Sequence, residues 1–410
     1  MIFVRKGEGV WENMGMDALI SPDAVDTRIQ QVISQLGPET LPLARARGRQ
    51  LSNDIRADRD LPPYDRSMMD GYAVPLGVGS WQVIARTWAG QSAEAHPLGP
   101  HEAVEVMTGA PVPATAEAVI PYEWTERRGA ALIMKPGHSL TPGQFIHRQG
   151  SDHRAGEVLI SAQQRLGLAE IGVAAAVGLA ELELTRRPRV ALLTTGDEVV
   201  PVDTASPEPH QVRQSNRALL EAMFAARGAV VASAHLDDDE AAIRAWLDEQ
   251  AENADLVVAA GGMSRGHRDF LPRIFDDMGQ GLFHGVAEKP GKPLGAWQLE
   301  SGALALGLPG NPLAVLATAT RYLLPVLEVF ETGCWPQPTH LPLAKPVDAR
   351  PDLAQLIPVR LEAGQAVPLR FHNSGDLAAA VGAQGVVEVA AGGTAPAQEA
   401  GVPYYPFPLH

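Results

Sequence analysis

At 410 residues the chain exceeds a single compact domain, and 45% hydrophobic with 20% charged residues is a globular composition rather than a disordered one. A net charge of −15 excludes a broad nucleic-acid surface, which needs a concentrated field of Lys and Arg, and the sole cysteine, Cys334, excludes an intrachain disulfide or a cysteine-ligated metal cluster. The first sixteen residues lack the continuous apolar core of a secretory signal, and the apolar stretch 171–180 is too short to span a bilayer, so the expectation is a soluble cytoplasmic protein.

In chain order, residues from about 57 to 156 carry short strand-like pieces punctuated by Pro and Gly, which predicts a β-rich domain rather than a wound sheet. Two polar turns stand out within it. In PPYDRSMMDGYAV, Asp70 and Gly71 precede an apolar run; in VEVMTGAPVP, Thr108 and Gly109 follow one. Taken singly, each is a nonspecific turn.

Between Arg186 and Glu331, short apolar runs alternate with helical patterns, as a parallel α/β sheet requires. Residues 190–194 predict a first strand that empties into TTGDEVVP, a glycine turn with two adjacent carboxylates. Leu219, Leu220, Met223 and Phe224 then mark one helix face, with Gly228 as its terminator, and 229–234 predict the second strand. Asp237, followed three positions later by Glu240, fits a capping box opening a helix with Ile243, Trp246 and Leu247 on its apolar stripe. A third strand, 256–260, ends in AAGGMSRGHRDF, where Gly261, Gly262 and Ser264 precede Arg265, His267, Arg268 and Asp269. A helix is expected to begin near Asp269. A fourth strand, 303–308, ends in Pro309-Gly310-Asn311-Pro312, with Asn311 placed to cap the next helix and Pro312 in its first turn. Right-handed crossovers set these strand-to-helix turns along one carboxyl edge, where open α/β sheets bind ligands. From about residue 335, short runs such as 386–389 and a proline-rich end predict a small β-barrel-like domain.

The turns carry the chemistry. Successive amides in the Gly261–Gly262 loop can bind an anion, although the same glycines can serve a turn alone. KPGKP, residues 289–293, holds the Lys289 and Lys292 ammonium groups around a constrained Pro-Gly pair, suited to a phosphate-sized target or to solvent. If Glu198, Asp237 and Asp269 converge at the strand edge, carboxylates about 5 Å apart repel by ~3 kcal/mol at an effective dielectric of 20, which a divalent cation relieves. Oxygen ligands beside a phosphate favour Mg²⁺; for Asp237 a helix cap is an equal reading. There is no metalloprotease or zinc spacing, no nucleophile elbow and no Walker loop.

Taken in order, MMDGYAV, VEVMTGAPVP, TTGDE, GGMSRGHRDF, KPGKP and LPGNP resemble the molybdopterin molybdenumtransferases, the MoeA family that includes the E domain of gephyrin. The resemblance covers about residues 20 to 408. It implies a multidomain α/β protein: an elongated domain from 20–56 and 157–186, a β-rich insertion domain at 57–156, a wound parallel α/β domain at 187–332, and a C-terminal β-barrel at 333–410. It also implies a homodimer whose site joins the insertion domain of one subunit to the wound domain of the other. The implied reaction inserts molybdate into adenylylated molybdopterin, releasing AMP, with Mg²⁺ or another divalent cation. Implied partners are a molybdopterin adenylyltransferase and molybdoenzyme-delivery proteins, with no nucleic acid or membrane.

By the same resemblance Asp70, Thr108 and Asp152 serve the insertion-domain side, and Glu198, Asp237, Asp269, Lys289 and Lys292 the wound-domain side. Glu198, Asp237 and Asp269 would hold the cation. Asn216, Gly261, Gly262, Ser264, Pro309 and Pro312 would help to position substrate. Departures are Gln214-Ser215-Asn216 in place of Asp-Thr-Asn, Arg66-Ser67-Met68-Met69-Asp70-Gly71 in place of Asn-Ser-Ala-Met-Asp-Gly, and Ala260 where Ser often stands. Alternative readings are a noncatalytic cofactor-binding scaffold and a molybdopterin adenylyltransferase.

Overall fold

In a computed structural model that describes residues 19–92, 97–227, 229–264, 269–348, 350–392 and 401–408, Pro38–Leu184 forms one unit and the described residues on either side of it form another.

The second unit is built on a six-stranded wound sheet. Its strands are β1 (Arg189–Thr195), β2 (Val230–Leu236), β3 (Leu256–Ala260), β4 (Gly279–His284), β5 (Gly295–Leu299) and β6 (Leu304–Leu308), in the order β2-β1-β3-β6-β5-β4. The first four in that order run parallel, as the alternating pattern predicts. β5 and β4 add an antiparallel edge that the sequence does not announce, because GQGLFH and GAWQL lack a β-branched run.

β3 and β6 are buried along their whole length, so both faces must be covered. Among the described residues the helix Pro22–Gln30 and five later helices do this, the later ones being α1 (Asn216–Arg227), α2 (Glu240–Ala251), α3 (Leu271–Met278), α4 (Pro312–Thr318) and α5 (Leu324–Thr332). Alternate residues of β1 serve opposite cores. Val190 and Leu192 pack with Leu220, Met223 and Phe224 of α1 and with Val315 and Val326. Ala191 and Leu193 pack with Ile243 and Leu247 of α2 and with Leu271, Ile274 and Phe275 of α3. α4 and α5 are joined by one π-helical stretch, Ala319–Leu323, so that Pro312–Thr332 is a continuous apolar helix of 21 residues. Among the described residues this run, not 171–180, is the one helix long and apolar enough to cross a bilayer, and its side chains fill the core of the wound sheet.

Two helix starts differ from expectation. The cap of α2 is Asp239, whose carboxylate accepts from the Ala241 and Ala242 amides at 2.9 and 3.2 Å; Asp237 lies two residues upstream, exposed. Three consecutive aspartates leave the start open in the sequence, and the helix takes the last. At α4, Pro312 occupies the first turn as expected, but the Asn311 amide turns away from the helix and donates to Ser374 Oγ at 2.8 Å. Gly228, the expected terminator of α1, lies outside the described residues.

The C-terminal segment forms a second six-stranded sheet. It runs Ala354–Glu362, Gly385–Val389, Val402–Pro406 and Thr339–Leu341, with Gln365–Pro368 paired to the first of these. Its other edge is Glu288–Lys289, lent by the wound segment and parallel to Ala354 and Gln355. The start of KPGKP is therefore stitched into the C-terminal sheet.

In the unit Pro38–Leu184, six strands run in the order Ala118–Pro121, Gly71–Val74, Glu102–Val106, Ser80–Thr87, Ala131–Met134, Thr125–Arg128. Flanking it in sequence, the pieces on either side of this sheet pack on each other through Leu51 and Ile55 against Ile160, Leu166 and Leu184. Gly71 opens the strand next to the Ala118–Pro121 edge, where a Cβ would lie 2.0 Å from the Ile120 carbonyl oxygen, so only glycine lets the strands meet there.

Candidate functional site

The carboxyl ends of β1, β3 and β6 converge on a cleft of about 630 Å³. Glycine turns make it. Gly261 sits at φ +101°, and a Cβ there would stand 2.8 Å from the Thr195 carbonyl oxygen, so the loop after β3 can press against the loop after β1 only without a side chain. Gly310, after β6, lies against Gly261 in turn, its Cβ position 3.6 Å from the Gly261 Cα. Three strand ends are thereby drawn into one polar rim, which includes Glu198, Asn216, Gly261, Gly262, Ser264 and Asp269, with Pro312 at the entrance to α4.

Asn216, the first residue of α1, ties the rim together. Its Nδ2 donates to the Gly310 carbonyl at 2.7 Å, while its Oδ1 is shielded from solvent without a partner in the protein. A buried acceptor left open in a ligand-sized cleft is suited to an N–H or O–H of the ligand. Gln214 is held just before it. Its Oε1 accepts from the Arg217 amide at 3.2 Å, and its Nε2 reaches Thr194 Oγ1 at 2.9 Å and His235 Nδ1 at 3.0 Å. A carboxylate cannot donate to those two groups, so Gln214 is matched to Thr194 and His235 as an amide.

The sequence-predicted residues do not all gather here. Asp237 stays outside the cleft and Asp238 lines it instead, its backbone amide donating to Asp197 Oδ1 at 2.9 Å. The expected carboxylate trio of Glu198, Asp237 and Asp269 therefore does not form; among the described residues no group of three or more His, Cys, Asp or Glu side chains stands ready to hold a metal ion. Sequence spacing placed the acid at the end of β2, and the turn into α2 presents the following residue. Pro309 is buried behind the rim. Lys292 lines an adjoining hollow of about 390 Å³ that shares Met263 and Ser264 with the main cleft and includes His284. Lys289, exposed on its edge strand, borders neither space. Arg265, His267 and Arg268 lie outside the described residues.

Sequence reading missed three contributors. Arg213 and Asp238 line the cleft, and Gly375 reaches it from the C-terminal segment beside Ser374, the partner of Asn311. The first two were within sight of recognised motifs; Gly375, 64 positions beyond Asn311, carries no local signal.

In the other unit, neighbouring strands bring Asp70 and Thr108 together, since Gly71 pairs with Val106. Asp70 Oδ1 accepts from the Thr108 amide at 2.6 Å and from its hydroxyl at 2.7 Å, and these two donors, the amide first, hold the Asp70 carboxyl below the usual carboxylate range. Thr108→Val removes the hydroxyl and keeps the amide, so the Asp70 pKa should rise part of the way back. Carboxyl ¹³C chemical shifts followed through a pH titration would show it; an unchanged midpoint would mean that the hydroxyl has no hold on Asp70. Asp152 accepts from His147 Nε2 at 2.7 Å, and His147 Nδ1 accepts from Arg66 at 3.1 Å, which fixes the ring with its proton on Nε2. Arg66, a departure from the resembled pattern, thus orients the histidine that holds Asp152.

Residues 20–178 match the family described as the MoeA N-terminal region (domain I and II), and residues 191–329 match the probable molybdopterin binding domain. The chain is 32% identical over 386 residues to the molybdopterin molybdenumtransferase of Synechocystis sp., covering 90% of this chain and 95% of that one. It is 35% identical to molybdopterin molybdenumtransferase 2 of Mycobacterium tuberculosis over 73% of this chain and 78% of that protein. Among solved structures, the molybdopterin biosynthesis moeA protein of Pyrococcus horikosii superposes with a TM-score of 0.82 at 27% identity, covering 95% of this chain and 99% of that one.

Proposed function

The chain belongs to the molybdopterin molybdenumtransferase family, and from that premise we propose that its strand-edge cleft binds adenylylated molybdopterin and inserts molybdate into it, with release of AMP. The observation that carries this reading is the cleft itself: closely packed glycine loops let a ligand approach their backbone, Asn216 leaves a shielded acceptor open, and Lys292 lines the hollow beside Ser264. Amides and an ammonium group suit phosphate and an oxyanion, and the acceptor suits a pterin or purine N–H. The dithiolene sulfurs are the substrate's own, so a protein whose one cysteine is exposed at position 334 needs no thiolate ligand for molybdenum.

Glu198, Asp238 and Asp269 give the cleft its negative charge. Mg²⁺ commonly takes one or two carboxylates and completes its shell with water and substrate phosphate oxygens, so these side chains fit a cation shared with the nucleotide rather than a cage made by the protein alone. Such a cation would neutralise phosphate charge. The carboxylates themselves offer no donor to a phosphate, so Ser264 in the cleft and Lys292 in the adjoining hollow are the groups suited to meet the phosphates and the incoming oxyanion directly.

The reading extends to a homodimer in which Asp70, Thr108 and Asp152 of one subunit complete the cleft of the other, to the four-domain division with a C-terminal barrel and an elongated segmented domain, and to a cytoplasmic enzyme. It also takes in exchange with a molybdopterin adenylyltransferase and with delivery proteins for molybdoenzymes. Incubating the full-length protein with adenylylated molybdopterin, molybdate and Mg²⁺ should release AMP in step with molybdenum cofactor, and chelation should abolish it. Tight pterin binding without AMP would favour the scaffold instead, and efficient adenylylation of unmodified molybdopterin by ATP would favour the adenylyltransferase.

A further inference from the structure

Directly before Lys289, Glu288 is fully buried. Tyr322 donates to its Oε2 at 2.5 Å, and its Oε1 has no partner in the protein. That oxygen lies under the turn of KPGKP: a Cβ on Gly291 would fall 2.2 Å from it. The Lys292 carbonyl is fixed one step further on by the Val286 amide at 2.9 Å, so the turn is clamped from the Glu288 side of the chain. The other ionisable groups around this carboxyl are Arg321, Asp26 from the helix Pro22–Gln30 and Glu388 from the strand Gly385–Val389, with Tyr405 against the Arg321 guanidinium. Arg321 is already committed to Asp26 and Glu388, so its charge is shared before Glu288 ionises.

We propose that Glu288 is a positioning residue for the loop that carries Lys289 and Lys292, supporting the Gly291 turn as an uncharged carboxylic acid and displacing it when it ionises. The inference rests on the reading that this loop attracts the oxyanion. Burial, outweighing the Tyr322 hydrogen bond, pushes the Glu288 pKa up to about 8, so the acid is neutral at neutral pH. Above that pH an anion forms with one oxygen unpaired beneath the turn, which has room to relieve it only by moving. Oxyanion binding should therefore be strongest below pH 8 and fade above it.

Calorimetric titration of the full chain with molybdate between pH 7 and 9 tests this. Wild type should weaken about tenfold across that window, the linkage expected of one group that must be protonated. Glu288→Gln, neutral at every pH, should bind with an unchanging Kd. Tyr322→Phe removes a donor that favours the charged form, so its fall should begin at higher pH than in wild type. A flat wild-type profile, or the same tenfold fall in Glu288→Gln, overturns the proposal. Lys292→Met separates it from the reading beneath it: loss of molybdate binding at all pH values upholds the loop as the anion site, whereas undiminished binding removes that site and with it any positioning role for Glu288.

Discussion

Arg321→Met should destabilise the protein by about 3–5 kcal/mol, the range for breaking a buried ion pair by removing one partner. Arg321 is 2% exposed. Its two terminal nitrogens donate to both Asp26 carboxylate oxygens at 2.8 and 2.9 Å, its Nε donates to Glu388 at 2.5 Å, and the guanidinium lies 4.6 Å from the ring centres of both Tyr322 and Tyr405. Methionine keeps the packing volume but leaves two carboxylates without their cation, so most of the loss is electrostatic. The pH dependence follows from the sign of the Asp26 shift. Burial already raises the Asp26 pKa in the presence of Arg321, and removing the cation raises it further, so the folded variant takes up protons more readily than the unfolded chain. Its deficit should be fully developed at neutral pH and shrink as acidification protonates Asp26. Urea unfolding at pH 7 and pH 5 would measure this, and adding Asp26→Asn and Glu388→Gln should recover part of the loss. A deficit below 1 kcal/mol at pH 7, or one that grows on acidification, would show that the cluster does not depend on this cation.

What the sequence made legible follows the range of the forces involved. Three of the four parallel strands, β1, β3 and β6, are readable because each is rich in buried Val, Leu and Ala, and burial on both faces leaves a continuous apolar signature, whereas β2, at the sheet edge, reads from its place between two helical patterns. The glycine turns are readable for a similar local reason: Gly261 is demanded by a neighbour's carbonyl, whatever the ligand. The antiparallel edge is not, since β5 owes its form to pairing with β6, and β4 to pairing with β5, rather than to their own composition. Nor is the place of Lys289, fixed by pairing with a strand that follows more than 60 residues later. The aspartate run after β2 falls between the two cases. Its acidity marked the site, but which of three neighbours caps the helix and which faces the cleft is decided by the turn, and a shift of one residue exchanges their roles.

That one-residue shift makes the second prediction a test of position as well as of charge. Asp269→Asn and Glu198→Gln should each lower the rate of AMP release by about 100-fold, the low end of what a positioned ionisable group contributes. Neither should change the melting temperature by more than a degree or two, because neither carboxylate belongs to an apolar core and substitutions of this kind stay within about 0.5 kcal/mol. Glu198 is held over the turn it follows, with its Oε2 2.9 Å from where a Cβ on Gly196 would lie, so Gln keeps the shape and removes only the charge. Asp238→Asn, inside the cleft, should reduce the rate as well, whereas Asp237→Asn, exposed outside it, should leave the rate within about twofold of wild type. Steady-state kinetics beside melting curves for all four variants would decide. If Asp237→Asn fell as far as Asp269→Asn, the acids would be acting as the sequence spacing first suggested, on a centre gathered around position 237, and the cleft at the ends of β1, β3 and β6 would not be where the chemistry occurs.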